Sequence, residues 1–355
     1  MAQFHTLTVT DIQPTTRDAV VVTLQPENGA DFSFTQGQYL TFRKEFDGEE
    51  LRRSYSICSG THDGALRVGI KRVDGGAFST WANENLKVGE RLEAMPPMGN
   101  FHAPLQPEAA RHYLMIAAGS GITPILSLTK TILAEEPKAD ITLLYSNRAV
   151  NTVMFREELE DLKNLNMTRL NLVHVLSGGG QDIDLLSGRL DTEKCDALFE
   201  KMIDISRIDL AFICGPEEMM KTAAAALESR GLGKDAIKYE LFAASQAGRA
   251  KKRAVSKVAQ NAKATKATII LDGTRHTLDI APDQSVLEAA LAQSIEAPYA
   301  CTAGVCSTCM ARLTEGAVEM VANHALEDYE VEAGRILTCQ AHPTSETITV
   351  DYDQH

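Results

Sequence analysis

The sequence predicts a multidomain β and α/β chain with three folded parts. These are an antiparallel β-barrel over residues 1–105, a doubly wound parallel-sheet domain over 106–242, and a small sheet gripping one helix over 266–355, with a basic linker at 243–265. Three observations predict it. Short apolar runs alternate with turn signals through the first hundred residues. Between Tyr113 and Phe242, continuous apolar runs alternate with helix-period segments. From Ala243 to Thr265 the periodicity stops, and Ala, Lys, Arg, Gln and Ser take over. A length of 355 residues suits two or three domains, and a hydrophobic fraction of 44% suits packed cores.

The barrel is read from five runs: Val20 to Leu24, Gln38 to Phe42, Ser54 to Cys58, Leu66 to Ile70 and Arg91 to Met95. Strands so short and evenly spaced suit an antiparallel barrel. The next part opens with the apolar strand Tyr113 to Ala118, and further strands follow at Ile141 to Ser146, Leu170 to Ser177, Leu210 to Cys214 and Lys238 to Phe242. Helical stretches such as Phe155 to Leu165 and Glu217 to Ser229 lie between them. Buried strands alternating with helices make a parallel sheet whose ligand sits at the carboxyl ends of the strands. In the last part, Asp272-Gly273 is a hairpin turn, and Ser285-Val286-Leu287-Glu288 is a capping box opening a short helix. A second hairpin is expected around Glu315-Gly316 and a last strand over Thr347 to Tyr352.

Four cysteines organise this last part. Cys301, Cys306 and Cys309 stand in Tyr-Ala-Cys-Thr-Ala-Gly-Val-Cys-Ser-Thr-Cys, and Cys339 follows in Leu-Thr-Cys-Gln. Four residues, then two, then a long gap is the spacing that surrounds a [2Fe–2S] cluster. The small Ala303, Gly304 and Ser307 let a loop wrap close to inorganic sulfide. Zinc is the alternative, but structural zinc sites usually show two separate Cys or His pairs. A disulfide framework fits poorly with seven cysteines, an odd number, and no secretion signal.

The net charge of −13 argues against a nucleic-acid partner. Its distribution is uneven: residues 266–355 carry −10 and residues 243–265 carry +6. No apolar run reaches the roughly 18 residues that span a bilayer, so a cytoplasmic, unanchored protein is expected.

Arg53-Ser54-Tyr55-Ser56 resembles the Arg-x-Tyr-Ser signature of the ferredoxin–NADP reductase family. Gly75-Gly76-Ala77-Phe78-Ser79 resembles that family's second pyrophosphate loop, and Gly37-Gln38-Tyr39 and Pro97-Met98-Gly99-Asn100-Phe101 match two further landmarks in order. Gly119-Ser120-Gly121-Ile122-Thr123-Pro124 resembles its nucleotide loop, Cys214-Gly215-Pro216 its thiol motif, and Glu240-Leu241-Phe242 the end of its reductase module. The resemblance implies an FAD-binding barrel, a nicotinamide domain and a β-grasp ferredoxin. In it Arg53 holds the flavin pyrophosphate, Tyr55 packs on the isoalloxazine, and the Ser56 hydroxyl bonds N5. Ile57, Lys71, Gly76, Ala77, Phe78 and Ser79 complete the flavin set. Gly119, Ser120, Gly121, Thr123, Ser146, Arg148, Cys214, Gly215 and Pro216 form the nicotinamide set, and Phe242 is an aromatic approaching the flavin.

Arg148 follows the second strand of the parallel sheet, where the adenosine ribose is sensed. A cation there favours a 2′-phosphate, hence NADPH over NADH, unless the arginine is merely solvated. Domain order, together with the cysteine loop and Phe-Ser-Thr-Trp-Ala-Asn-Glu, most resembles the reductase components of phenylacetyl-CoA epoxidases, multicomponent bacterial oxygenases. The implied activity passes electrons from NADPH through FAD and the cluster to a separate, di-iron, multisubunit oxygenase. No histidine here has a glutamate three residues before it, so a di-iron carboxylate site is expected in the partner. A reductase for a Rieske-type or steroid hydroxylase is the alternative, and a redox sensor without turnover is an alternative of another class.

Overall fold

The computed structural model describes residues 4–179, 183–242 and 264–354. The chain divides into two compact units, His5–Glu240 and a C-terminal one beginning at Leu241. Most of the expected linker, including Lys251, Lys252 and Arg253, lies outside the described residues.

The first unit opens with β1 (His5–Thr16), β2 (Ala19–Pro26), β3 (Tyr39–Phe46), β4 (Glu49–Ser56), β5 (Leu66–Lys71), α1 (Ala77–Glu84) and β6 (Arg91–Ala94). The strands form one sheet in the order β4-β3-β6-β1-β2-β5, with antiparallel pairs throughout. The edges meet where Ile57 bridges Val68 and the Cys58 N–H donates to the Arg67 carbonyl at 2.9 Å, closing the barrel. Leu7, Val9, Val22, Leu40, Phe42, Val68 and Ile70 fill it. β1 was not among the expected strands. Its sequence, HTLTVTDIQPTT, has few apolar residues, and only Leu7 and Val9 are buried along its twelve residues. Register shifts at Val9/Asp11 and Pro14/Thr16 further blur the period-two pattern.

The same unit continues with β7 (His112–Ala118), α2 (Ile122–Glu135), β8 (Asp140–Asn147), α3 (Arg156–Leu165), β9 (Leu170–Leu176), α4 (Thr192–Lys201), β10 (Leu210–Cys214), α5 (Glu217–Glu228) and β11 (Ile237–Glu240). All pairs are parallel, in the order β11-β10-β7-β8-β9. The chain moves outward from β7 to β9 and then returns to the other side of β7 at β10. That reversal opens a crevice at the carboxyl ends of β7 and β10. Tyr113 to Ala117 are all buried, as a central strand covered on both faces requires.

The C-terminal unit contains β12 (Thr265–Leu271), β13 (Thr274–Ile280), α6 (Val286–Ala292), β14 (Met310–Glu315), β15 (Val318–Met320), α7 (Asp328–Glu332), β16 (Arg335–Leu337), β17 (Ala341–Pro343) and β18 (Thr347–Asp351). Its main sheet runs β13-β12-β18-β14-β16, with β12 and β18 parallel, and β15 pairs with β17 separately. This is the β-grasp arrangement. Asp272 and Gly273 turn with φ of 51° and 70°, as the hairpin demands. The capping box is present: the Glu288 N–H donates to Ser285 Oγ at 3.2 Å, and the Ser285 N–H donates to Glu288 Oε2 at 2.9 Å. The second hairpin needs correction. Gly316 turns the chain at φ 86°, but β14 and β15 belong to different sheets. Thr265 also already belongs to β12, one residue inside the expected linker.

Candidate functional site

β4 presents Arg53, exposed, and Tyr55, half-buried, with Ser56 buried at its end. The Tyr55 ring is backed by Phe78 of α1, with centroids 5.5 Å apart and planes 35° apart, and by Phe42 at 6.2 Å. Its phenol pKa is raised by burial, with the Arg53 charge opposing. A tyrosine held from behind offers its other face to a flat ring. Gly76 precedes α1, and a Cβ there would lie 2.6 Å from Ser79 Oγ. Ser79 is engaged within its own loop: Oγ accepts from the Val73 N–H at 3.1 Å and lies 3.3 Å from the Gly76 carbonyl as a donor. It shapes the loop ahead of α1, whose first N–H groups suit a phosphate. Gly37 and Phe101 are equally close, since a Cβ on Gly37 would meet the Phe101 carbonyl oxygen at 2.0 Å. Tyr39 and Met98 exchange backbone hydrogen bonds at 2.8 and 3.0 Å, so the two landmarks stand side by side. Ile57 is buried, and Lys71 sits 3.8 Å from Asp18 at the end of β5.

At the crevice, Gly119, Ser120 and Gly121 form a single 3₁₀ turn between β7 and α2. Gly119 takes φ 54°, with open space where a side chain would stand. A Cβ on Gly121 would lie 2.1 Å from the Cys214 carbonyl oxygen, and only glycine allows the two loops to touch. Thr123 Oγ1 donates to the Ser120 carbonyl at 3.0 Å and Tyr145 Oη to that of Gly119 at 2.9 Å. The turn is thereby fixed with its upper side open, a cradle that suits a nucleotide pyrophosphate. Cys214 is fully buried, and burial pushes its thiol pKa up, with Glu240 adding to the rise. Gly215 packs against Ala118 and Met219, and Pro216 caps α5. Ser146 is half-buried near the end of β8, and Arg148 is exposed on the turn beyond it. Phe242 lies past Glu240, where the first unit ends.

One residue outside the expected set joins these groups. Ser56 Oγ donates to Glu240 Oε2 at 3.1 Å, linking the barrel strand to β11. Burial pushes the Glu240 carboxyl up to about 8, against the lowering effect of the Ser56 hydroxyl. In the sequence Glu240 opens a recognisable tripeptide, but the residue that draws notice there is the aromatic at its end, not the acid.

In the C-terminal unit the four cysteines come together as two pairs. Cys301 and Cys306 lie with sulfurs 3.1 Å apart, and Cys309 and Cys339 are hydrogen-bonded neighbours. Among the described residues no three His, Cys, Asp or Glu converge as around a single ion. Two thiols per metal is what a two-iron cluster takes, and the pairing fits it. The Ala303 N–H donates to Cys301 Sγ at 3.4 Å. The Cys306 thiol, with the N–H groups of Ala303, Val305 and Cys306, brings the Cys301 thiol down to about 6 against desolvation. Gly304, at φ 72°, would drive a Cβ to 2.6 Å from the Ala322 carbonyl oxygen, so the loop closes only on glycine.

Barrel, crevice and cysteine cradle together define an iron–sulfur flavoprotein oxidoreductase. Family models match it in three places: an oxidoreductase FAD-binding domain over residues 6–103, an oxidoreductase NAD-binding domain over 115–225, and a 2Fe-2S iron-sulfur cluster binding domain over 269–344. The chain belongs to the ferredoxin–NADP reductase family, in the branch with a C-terminal ferredoxin domain. It is 42% identical to a component of the 1,2-phenylacetyl-CoA epoxidase of Escherichia coli K12 over 357 residues, covering 99% of each chain. It is 34% identical to the ferredoxin reductase component of 3-ketosteroid-9-alpha-monooxygenase of Mycobacterium tuberculosis, covering 90% of this chain and 86% of that one. Phthalate dioxygenase reductase shares the fold at a TM-score of 0.58 and 21% identity, with 98% of each chain covered. An intact type IV self-sufficient cytochrome P450 monooxygenase gives a TM-score of 0.73 at 21% identity, covering 98% of this chain and 41% of the larger one. Among the described residues no helix is long and apolar enough to cross a membrane.

Proposed function

We propose that this chain is the NADPH-dependent reductase component of a phenylacetyl-CoA epoxidase, acting in the cytoplasm on a separate, di-iron, multisubunit oxygenase. The observation that carries the reading is the full-length similarity to the epoxidase component, at 42% identity over 99% of both chains. The steroid-hydroxylase reductases support the second reading at 34% identity, which ranks it below the first.

Each proposed residue has a physical task. Arg53 grips the flavin pyrophosphate as a planar donor, and Gly76, Ala77, Phe78 and Ser79 present the start of α1 to it. Tyr55 supplies the stacking face, Ile57 and Lys71 flank it, and Phe242 is the aromatic facing the flavin. The turn at Gly119, Ser120, Gly121 and Thr123 receives the nicotinamide nucleotide's pyrophosphate. Ser146 and Arg148 read its ribose end, and Cys214, Gly215 and Pro216 line its nicotinamide end. Ser56 Oγ and Glu240 Oε2, 3.1 Å apart, give a proton a route to or from the reacting centre. Cys301 and Cys306 would hold one iron, Cys309 and Cys339 the other. Flavin and cluster together supply the conversion of a two-electron hydride donor into single electrons.

The test is reconstitution. The purified chain, mixed with a phenylacetyl-CoA epoxidase oxygenase, should support NADPH oxidation that depends on phenylacetyl-CoA. Activity with a 3-ketosteroid oxygenase and none with the epoxidase would select the second reading. For the nucleotide, a charge-assisted bond is worth roughly 1.5–3 kcal/mol. Arg148→Ala should therefore cut the preference for NADPH over NADH by about ten- to a hundredfold, at about 1.4 kcal/mol per factor of ten. A wild type that prefers NADH refutes the role of Arg148.

A further inference from the structure

A buried chain of two hydroxyls runs from the last strand to the cysteine cradle. Tyr352 Oη donates to Thr338 Oγ1 at 2.9 Å, and Thr338 Oγ1 donates to the Cys309 carbonyl at 2.9 Å. The Thr338 N–H reaches the same carbonyl at 3.2 Å. Thr338 and Tyr352 are 0% and 2% exposed, so the chain is dry. Thr338 is the residue before Cys339, and its bonds end on Cys309. The relay therefore ties together the two cysteines that form one pair but come from distant parts of the sequence. Its far end is held as well. The Tyr352 N–H donates to the Ile270 carbonyl at 2.9 Å, and Asp353 accepts from the N–H groups of Asp272 and Gly273, both at 2.7 Å.

We propose that Tyr352 and Thr338 are positioning residues for the iron–sulfur cluster: their hydroxyl relay fixes the Cys309–Cys339 pair and raises the cluster's reduction potential. Both O–H groups point their positive ends towards Cys309. A reduced cluster carries one more negative charge than an oxidised one, and hydrogen-bond dipoles so aligned favour it. In a buried site these dipoles act with little screening from water. The phenol ring contributes bulk to the core, which phenylalanine would keep. The hydroxyl contributes the dipole, which phenylalanine would lose. The inference rests on the assignment of the cluster to the four cysteines. That assignment fails separately, if the visible cluster spectrum survives in Cys306→Ser.

The experiment is a redox titration of the full-length holoprotein followed by electron paramagnetic resonance, which reads the cluster apart from the flavin. Tyr352→Phe should lower the reduced-to-oxidised ratio of the cluster at a fixed potential by about three- to tenfold, the upper end being a fall of about 59 mV for one electron. Thr338→Val should move it in the same direction, and Thr338→Ser, which keeps the hydroxyl, should restore the wild-type potential. In the double variant Tyr352→Phe, Thr338→Val the shift should not exceed that of Thr338→Val alone, because the relay acts as one unit. If Thr338→Val does not retain its cluster, Tyr352→Phe decides alone. An unchanged or raised potential in cluster-loaded Tyr352→Phe overturns the proposal, and so does full additivity in the double variant.

Discussion

Glu240 has a chemistry that its neighbours create. A carboxylic acid raised from 4.5 to about 8 binds a proton in the folded chain at pH values where the unfolded chain has released it. The folded state then binds more protons than the unfolded one between these two values. Stability must fall as pH rises through that window and level off on either side of it. Comparing thermal unfolding of wild type and Glu240→Gln from pH 5 to pH 8 measures the effect: the wild type should lose stability relative to the variant as pH rises. Parallel curves would show that the carboxyl titrates normally. Glu330 teaches the opposite lesson. In the acidic run it is expected, with Glu327, Asp328 and Glu332, to contact the partner, but it is 4% exposed, and its Oε2 accepts from the Glu327 N–H at 3.1 Å at the start of α7, so it is not a docking contact. Asp328 and Glu332 remain exposed.

Between elements, a row of alternating charges joins barrel to parallel sheet inside the first unit. Arg67 of β5 donates both Nη1 and Nη2 to Glu158 of α3 at 3.0 Å each, Lys130 of α2 reaches Glu158 at 3.0 Å, and Lys130 also pairs with Asp63 of the loop before β5. Glu158→Gln would leave two half-buried cations with a weaker acceptor. Partly screened by solvent, such a loss should cost about 1–3 kcal/mol in denaturant unfolding, whereas a change below a few tenths would mean that the packing of Gly69 against Thr123 and Phe155 holds the seam unaided. None of these four residues stands in a motif, so no local pattern marks the seam. What is legible in the sequence follows a rule. Strongly apolar strands such as β7 and β10, turns at Asp272-Gly273 and the Ser285 capping box can be read because their signals are local. β1 was hidden because its burial comes from closing the barrel around two side chains, and the expected hairpin at Glu315-Gly316 misled because a local turn signal does not say which strand its flanks will pair with. The cysteine spacing and the Arg53 to Ser56 signature located their regions, but the Ser56–Glu240 contact spans 184 positions and no spacing rule reaches that far.

Across the whole molecule, charge and cysteine geometry bear on partners and on assembly. The last ninety residues carry −10, well beyond what solubility demands, and such a surface accelerates encounter with a basic partner at low salt. Electron delivery to the oxygenase should therefore slow steeply as salt shortens screening from about 8 Å at physiological ionic strength to about 3 Å at 1 M. Nicotinamide-to-flavin reduction, confined to one chain, should change much less. Reversing Glu327 and Asp328 to Lys should reproduce the slowing at low salt; delivery as fast as in the wild type would place docking elsewhere. The cysteines bear on a different hazard, faced before any electron moves. Divalent ions that outcompete iron for isolated thiolates abound wherever the chain is made. The sulfurs lie as two couples near enough to act on one another electrostatically, so a cluster bridging them would also occupy the thiolates that a stray ion seeks. Loading the cluster would thus guard the cradle against single metals as well as equip it for electron transfer.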